Sequence, residues 1–127
     1  MSTMLLSIKP EFVEEIIEGR KKFEYRKSIF IRTDVSSVVV YATKPFGKVV
    51  GEFEIGSIIR DRPSNIWNET KNYSGISQKF FNEYFEGRDV GFAIPIKKFI
   101  KYDKPMELNN FNENIKAAPQ SFCYIEE

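Results

Sequence analysis

At Gly19 the apolar periodicity of the chain changes, and that change limits what the polypeptide can fold into. Before it, Phe12, Val13, Ile16 and Ile17 recur at the spacing of one helical face, with Glu11, Glu14, Glu15 and Glu18 on the other. After it, Phe23 and Tyr25 alternate with Glu24 and Arg26, the period of a half-buried strand. Pro10 suits the first helical turn, where its missing N–H costs no hydrogen bond, and Gly19 suits the position just past the last turn. The junction is also charged. Of the nine residues from Gly19 to Lys27, five are cationic (Arg20, Lys21, Lys22, Arg26, Lys27) and only Glu24 is anionic. The whole chain has a net charge of +1, so the charge is local, and a phosphate or nucleotide is its natural partner.

The flanking segments predict more strands than helices. Leu5, Leu6 and Ile8 form a short strand that stops at Lys9-Pro10, and the β-branched run Ser37–Ala42 reads as a central strand. Lys44-Pro45-Phe46-Gly47-Lys48 has turn chemistry and leads into a strand over Val49–Ile59, pairing as a hairpin with Gly51 and Gly56 at bulges or close approaches. Asp61–Ser74 differs in character: Ser64 is the expected cap of a short helix carrying Ile66, Trp67 and Thr70. Ser77 caps a second helix with Phe80, Phe81, Tyr84 and Phe85 on one face and Gly87 beyond its end. Val90–Ile100 is a strand in which Pro95 implies an edge or a bulge, Asn109–Ala118 an exposed loop, and Ser121–Ile125 a closing strand. The order β-α-β-β-β-α-α-β-β predicts one α+β domain over residues 1–127, a small mixed or antiparallel β-barrel flanked by helices.

Composition narrows the chemistry. The 127 residues contain no histidine and one cysteine, Cys123, which excludes Ser-His and Cys-His nucleophiles, an internal disulfide, and metal sites built from imidazole or several thiolates. No cofactor or metal is expected. No apolar run is long enough to span a membrane, and Met1–Ile8 does not read as a signal peptide, so the expected compartment is the cytoplasm. Any catalysis would fall to Lys, Glu, Asp, Tyr, Ser or Thr.

With these residues placed, the chain resembles the ASCH domain family, whose fold is a PUA-like β-barrel. The resemblance rests on Ser7-Ile8-Lys9-Pro10 before the first helix and on Gly19, Lys21, Glu24 and Arg26, which match the pattern G-x-K-x-x-E-x-R. It continues through Val50-Gly51-Glu52-Phe53-Glu54-Ile55, Tyr84-Phe85-Glu86-Gly87 leading into Gly91-Phe92-Ala93-Ile94, and Pro119-Gln120-Ser121-Phe122-x-Tyr124. The resemblance implies RNA or nucleotide binding in a cleft beside the barrel, between the first helix and the next strand. It also implies a regulatory role in transcription for some members, hydrolysis of N4-acetylcytidine in one branch, and RNA cleavage in another. In the amidohydrolase branch the catalytic set is the motif lysine, a threonine and a distal glutamate. Lys21 matches the lysine, but Glu24 stands where the threonine would be, which removes that nucleophile unless Ser121 or another hydroxyl substitutes.

The residues expected to bind the ligand are Lys9, Lys21, Glu24, Arg26, Tyr41 and Ser121; Lys21 and Glu24 would be catalytic only if the protein is an enzyme. Lys21 binds an anion or solvates a helix end. Glu24 and Arg26, two apart on a strand, share a face: they form a structural ion pair, or Glu24 reads a base edge while Arg26 grips phosphate with both arms. Tyr41 stacks a base or packs in the core, and Trp67 is a lid, a contact for a protein partner, or an anchor for its insertion.

Overall fold

The structure, a computed structural model, describes residues 2–29, 34–115 and 117–125. Among them run seven strands: β1 (Ser2–Ile8), β2 (Phe23–Arg26), β3 (Val35–Ala42), β4 (Lys48–Ile55), β5 (Ile59–Asp61), β6 (Gly91–Met106) and β7 (Phe122–Ile125). Four helices accompany them: α1 (Pro10–Ile17), α2 (Pro63–Thr70), α3 (Gln78–Tyr84) and α4 (Leu108–Phe111). The sheet order is β2-β6-β4-β3-β1-β7, with β5 added to β6. β1 and β3 pair in parallel and the other pairings are antiparallel. The fold is α+β, and its mixed sheet curls into a partial barrel.

β6 causes the curl. Its first residues pair with β2 on one side and β5 on the other, and from Ile96 onwards it pairs with β4. The sequence reading ran one strand from Val49 to Ile59; instead the chain leaves β4 after Ile55 and re-enters as β5 farther along β6. Pro95 falls at this break, in an interior strand and not at an edge. Its carbonyl accepts from Gly56 N at 3.1 Å. In a strand the N–H and C=O of one residue point the same way, so the missing donor of Pro95 faces the gap between β4 and β5, where no ladder bond is lost. Gly51 is a true close approach: a Cβ there would sit 2.5 Å from Ile100 O and 2.7 Å from the Phe99 ring.

The central strands are buried on both faces, which explains their almost unbroken apolar runs. Met4, Leu6, Ile8, Val38, Val40 and Phe53 fill the barrel interior with Val13 and Ile16 of α1. Leu5, Val39, Tyr41 and Val49 form a second cluster on the opposite face, joined by Tyr102, Met106, Phe111 and Ile115. That face needs a cover, so part of the segment read as an exposed loop from Asn109 is the short helix α4; position 116 lies outside the described residues. A third cluster, Tyr25, Ile66, Phe81, Phe85 and Ala93, attaches α2 and α3 to β2 and β6, and Trp67 packs on Phe81 at 4.9 Å between ring centroids. Trp67 is an anchor.

The helix ends follow local chemistry. Ser77 caps α3, accepting from Phe80 N at 3.1 Å, as expected. Ser64 does not cap α2. Pro63 opens that helix and Arg62 is its cap position, while Asp61 Oδ1 accepts from Arg62 N and Asn65 Nδ2. Gly19 has φ +82° and ends the first helix as its sequence requires.

Candidate functional site

The end of β1, α1, the start of β2 and α3 enclose a cavity of about 300 Å³. Its lining brings together Ser7, Lys9, Lys21, Glu24, Arg26 and Gln120 with the apolar or aromatic Phe12, Ile76, Phe80 and Tyr84. Thr43 lines it as well, held just past β3 by the bond from its N–H to Ile8 O (3.0 Å).

The sharp turn after α1 aims Lys21 inward. Arg20 N and Lys21 N both donate to Glu15 O, and Lys21 bridges to Ser74, which draws the segment before α3 against the motif. The Lys21 side chain is 2% exposed. Its Nζ donates to Ser74 O (3.2 Å), stands 3.7 Å from Glu24 Oε1, and lies over the Tyr25 ring at 4.8 Å and the Phe12 ring at 5.5 Å. Burial pulls its pKa below the ordinary lysine value, and the charge of Arg26 adds to that; Glu24 opposes the shift without cancelling it.

Glu24 joins the two cations. Its Oε2 accepts from Arg26 Nη2 at 2.8 Å, and its own side chain is 8% exposed. Arg26 is committed elsewhere too: Nη2 donates to Ser7 O (2.8 Å) and Nη1 to Ser121 Oγ (3.0 Å). Three of its five guanidinium N–H donors are thus engaged by protein. The remaining Nε is buried and has no hydrogen-bond partner among the described residues. Glu24 and Arg26 do form an ion pair, and it is mostly buried, not at the surface.

Aromatic walls complete the cavity. Phe12 and Phe80 meet edge to face at 5.3 Å, and Lys9 Nζ hangs over both rings at 6.0 and 5.5 Å. Tyr84 OH accepts from Lys27 N at 3.2 Å, and burial raises its pKa. Tyr25 donates to Thr70 Oγ1 (2.7 Å): the single hydroxyl proton of Thr70 already goes to Ile66 O, so the tyrosine must supply this one. Burial lifts the Tyr25 pKa to about 12.

Of the six residues singled out from sequence, Lys9, Lys21, Glu24 and Arg26 converge on the cavity. Ser121 stands behind it as a brace for Arg26, while its neighbour Gln120 reaches the lining. Tyr41 lies apart, buried in the cluster on the other face of the sheet. Sequence reasoning missed Ser7, Thr43, Phe80 and Tyr84 as lining residues. Thr43 carried one signal, its place where a strand ends before a turn. Cys123 is half-buried, with its thiol pKa raised by burial. No group of metal-binding side chains occurs among the described residues, and none of their helices is long and apolar enough to cross a membrane.

Comparison with known proteins bears on the fold and the family. An ASCH domain profile matches residues 6–115. An ASCH domain-containing ribonuclease of Zymomonas mobilis is 26% identical over 124 residues, covering 95% of this chain and 82% of that protein. A large ribosomal subunit protein uL22 of Ureaplasma parvum is 33% identical over 128 residues, but the chain spans only 39% of its length. An ATP synthase subunit alpha of the same species is also 33% identical, with 15% of its length covered. The crystal structure of ASCH from Zymomonas mobilis superposes with a TM-score of 0.88 at 23% identity, covering 98% of this chain and 88% of that one. The N-terminal domain of Staphylothermus marinus McrB is a more distant likeness, with a TM-score of 0.57 at 12% identity. The profile match spans most of the chain, and the chain belongs to the ASCH domain family.

Proposed function

We propose that this domain binds single-stranded RNA by seating one nucleotide in the cavity. The observation that carries the reading is the cavity itself: a buried Lys21–Glu24–Arg26 array beside the aromatic walls Phe12, Phe80 and Tyr84. Rings take the face of a base, while polar groups fix its edge and the adjoining phosphate. The volume is at the lower end of ordinary small-ligand pockets and suits one nucleotide better than a duplex. The ribonuclease name of the Zymomonas relative supports RNA as the polymer. Alignment with parts of a ribosomal protein and of an ATP synthase subunit supports a portable domain, with any regulatory role set by its context.

A second reading, RNA cleavage, is favoured by the lowered pKa of Lys21. A neutral amine accepts the proton of an attacking 2′-hydroxyl as that oxygen bonds phosphorus; the departing 5′-oxygen then takes a proton back from the ammonium or from water. For the acylated-nucleoside reading Ser121 is a poor nucleophile, since it is bonded to Arg26 and lies outside the lining, and the role would fall to a lining hydroxyl such as Thr43.

The test is fluorescence anisotropy with a short single-stranded RNA, comparing wild type with Lys21→Met and Phe80→Ala. Salt-sensitive binding by wild type is expected, weakened roughly 5- to 100-fold by loss of the Phe80 ring if a base stacks there. Absence of wild-type binding, or equal binding by all three proteins, sinks the proposal. Product analysis of the same mixtures decides cleavage: strand scission that is lost in Lys21→Met supports it, and intact RNA removes it.

A further inference from the structure

We infer that a second groove, on the far side of Lys21 from the cavity, is an accessory subsite for the flanking nucleotides of a single strand; this rests on the RNA reading above. Lys21 lies between the two, lining both. The groove, of about 510 Å³, is walled by Lys22, Lys97, Lys98, Tyr73, Phe23 and Phe99 and has no carboxylate residue in its lining. In a chain of net charge +1, a groove lined by lysines and rings and by no acid is a marked asymmetry.

Three features make it a built surface. First, Lys22 is pinned on both sides: its N–H donates to Tyr73 O at 2.8 Å, and its carbonyl accepts from Ile96 N at 2.9 Å. This ties the loop after α1, the turn carrying Tyr73 and β6 into one wall. Second, Tyr73 is 48% exposed, and Lys22 Nζ lies 4.5 Å from its ring centroid. An exposed ring beside a cation is the pairing that takes a base and its phosphate together. Third, β6 bulges here. Glu52 pairs with Ile100 and Glu54 with Lys97, so Lys98 and Phe99 oppose Phe53 alone. Lys98 takes φ +51°, a conformation that side chains other than Gly, Asn and Asp rarely adopt. Such bulges re-aim side chains, and this one lies at two adjacent lysines on the groove wall. Glu54 approaches Lys98 at 3.7 Å, but both side chains are mostly exposed, so solvent screens the pair and phosphate can compete for the lysine.

Two probes separate the subsite from the cavity: uridine 5′-monophosphate, and a 2′-O-methyl oligouridylate of about eight nucleotides, long enough to leave the cavity and resistant to 2′-hydroxyl attack. The proteins are wild type, Lys97→Gln/Lys98→Gln, Tyr73→Ala and Tyr73→Phe. The double lysine variant is expected to weaken the oligomer, to reduce the slope of log K against log salt by about 1.4, and to leave the mononucleotide unchanged. Tyr73→Ala should weaken the oligomer roughly 5- to 100-fold, with Tyr73→Phe restoring it. Unaltered oligomer affinity and salt slope in folded variants overturn the subsite and leave the cavity reading standing. If wild type binds neither probe, both readings fall. If Tyr73→Phe is as weak as Tyr73→Ala, stacking at this groove is overturned.

Discussion

Glu24 Oε1 stands 3.7 Å from Lys21 Nζ, and neither side chain has meaningful access to solvent. Through its other oxygen Glu24 also holds Arg26, so one carboxylate pairs with two cations beneath the cavity. Removing that carboxylate leaves two buried positive charges facing each other. Breaking a buried pair from one side costs about 3–5 kcal/mol, far more than loss of an exposed bridge. Glu24→Gln should lose stability on that scale in urea unfolding. A loss below about 1 kcal/mol would mean the three groups are better hydrated than their burial implies.

Stability should also carry the signature of Lys21. Its folded pKa lies below the ordinary 10.5, so between the two values the unfolded chain holds more protons than the native one. Stability contributed by this group therefore rises with pH across that window and falls as Lys21 becomes charged. Lys21→Met removes the term, so the wild-type stability relative to the variant should climb with pH and level off near 10.5. Unfolding curves at several pH values check this; parallel profiles would contradict it.

Tyr25 makes the opposite prediction. Burial raises its pKa to about 12, so its stabilising contribution is full below the ordinary value of 10.0 and is lost as pH climbs through about 12. The difference ultraviolet titration of wild type against Tyr25→Phe should show a phenolate appearing near pH 12. A transition near 10 would place the ring in water. Tyr25→Phe should also cost about 1 kcal/mol for the bond to Thr70.

Gly75 controls the position of Lys21 from outside the motif. It has φ +66°, and a Cβ built on it falls 2.3 Å from Lys21 Cβ. Gly75→Ala meets both left-handed strain and a clash with the residue that supports the cavity. The variant should lose about 1–3 kcal/mol and bind the RNA probe more weakly than its remaining folded fraction explains. Calorimetry alongside anisotropy separates the two effects; unaltered binding and stability would show that the loop yields freely.

The cationic knot at Gly19–Lys27 shows how far the sequence could be read. Its helix end, strand and alternating faces were legible, because each follows from contacts within one or two turns of chain. The fate of its charges was not. Arg20 is engaged by Glu15 of the helix before it, Lys22 and Lys27 lie over Tyr73 and Tyr84, and Lys21 and Arg26 pair with Glu24. Glu15 and Glu24 are near in sequence, but Tyr73, Tyr84, Ser74 and Ser121 come from distant segments, and these close over the charges. The division of Val49–Ile59 between β4 and β5 was equally invisible, since it depends on how β6 passes beneath both.

By itself the sequence determined the α+β class, the hairpin of β3 and β4, the cap at Ser77, the ASCH pattern and the absence of histidine chemistry. These depend on periodicity, local hydrogen bonding and residue inventory, which are properties of short stretches. Tertiary structure decided which charges are buried, which guanidinium donors are engaged and which hydroxyls reach the cavity. A lysine at a helix end is a solvated cation until other segments close over it. Here Ser74, Phe12 and Tyr25 do so, and desolvation pulls the Lys21 pKa below its ordinary value.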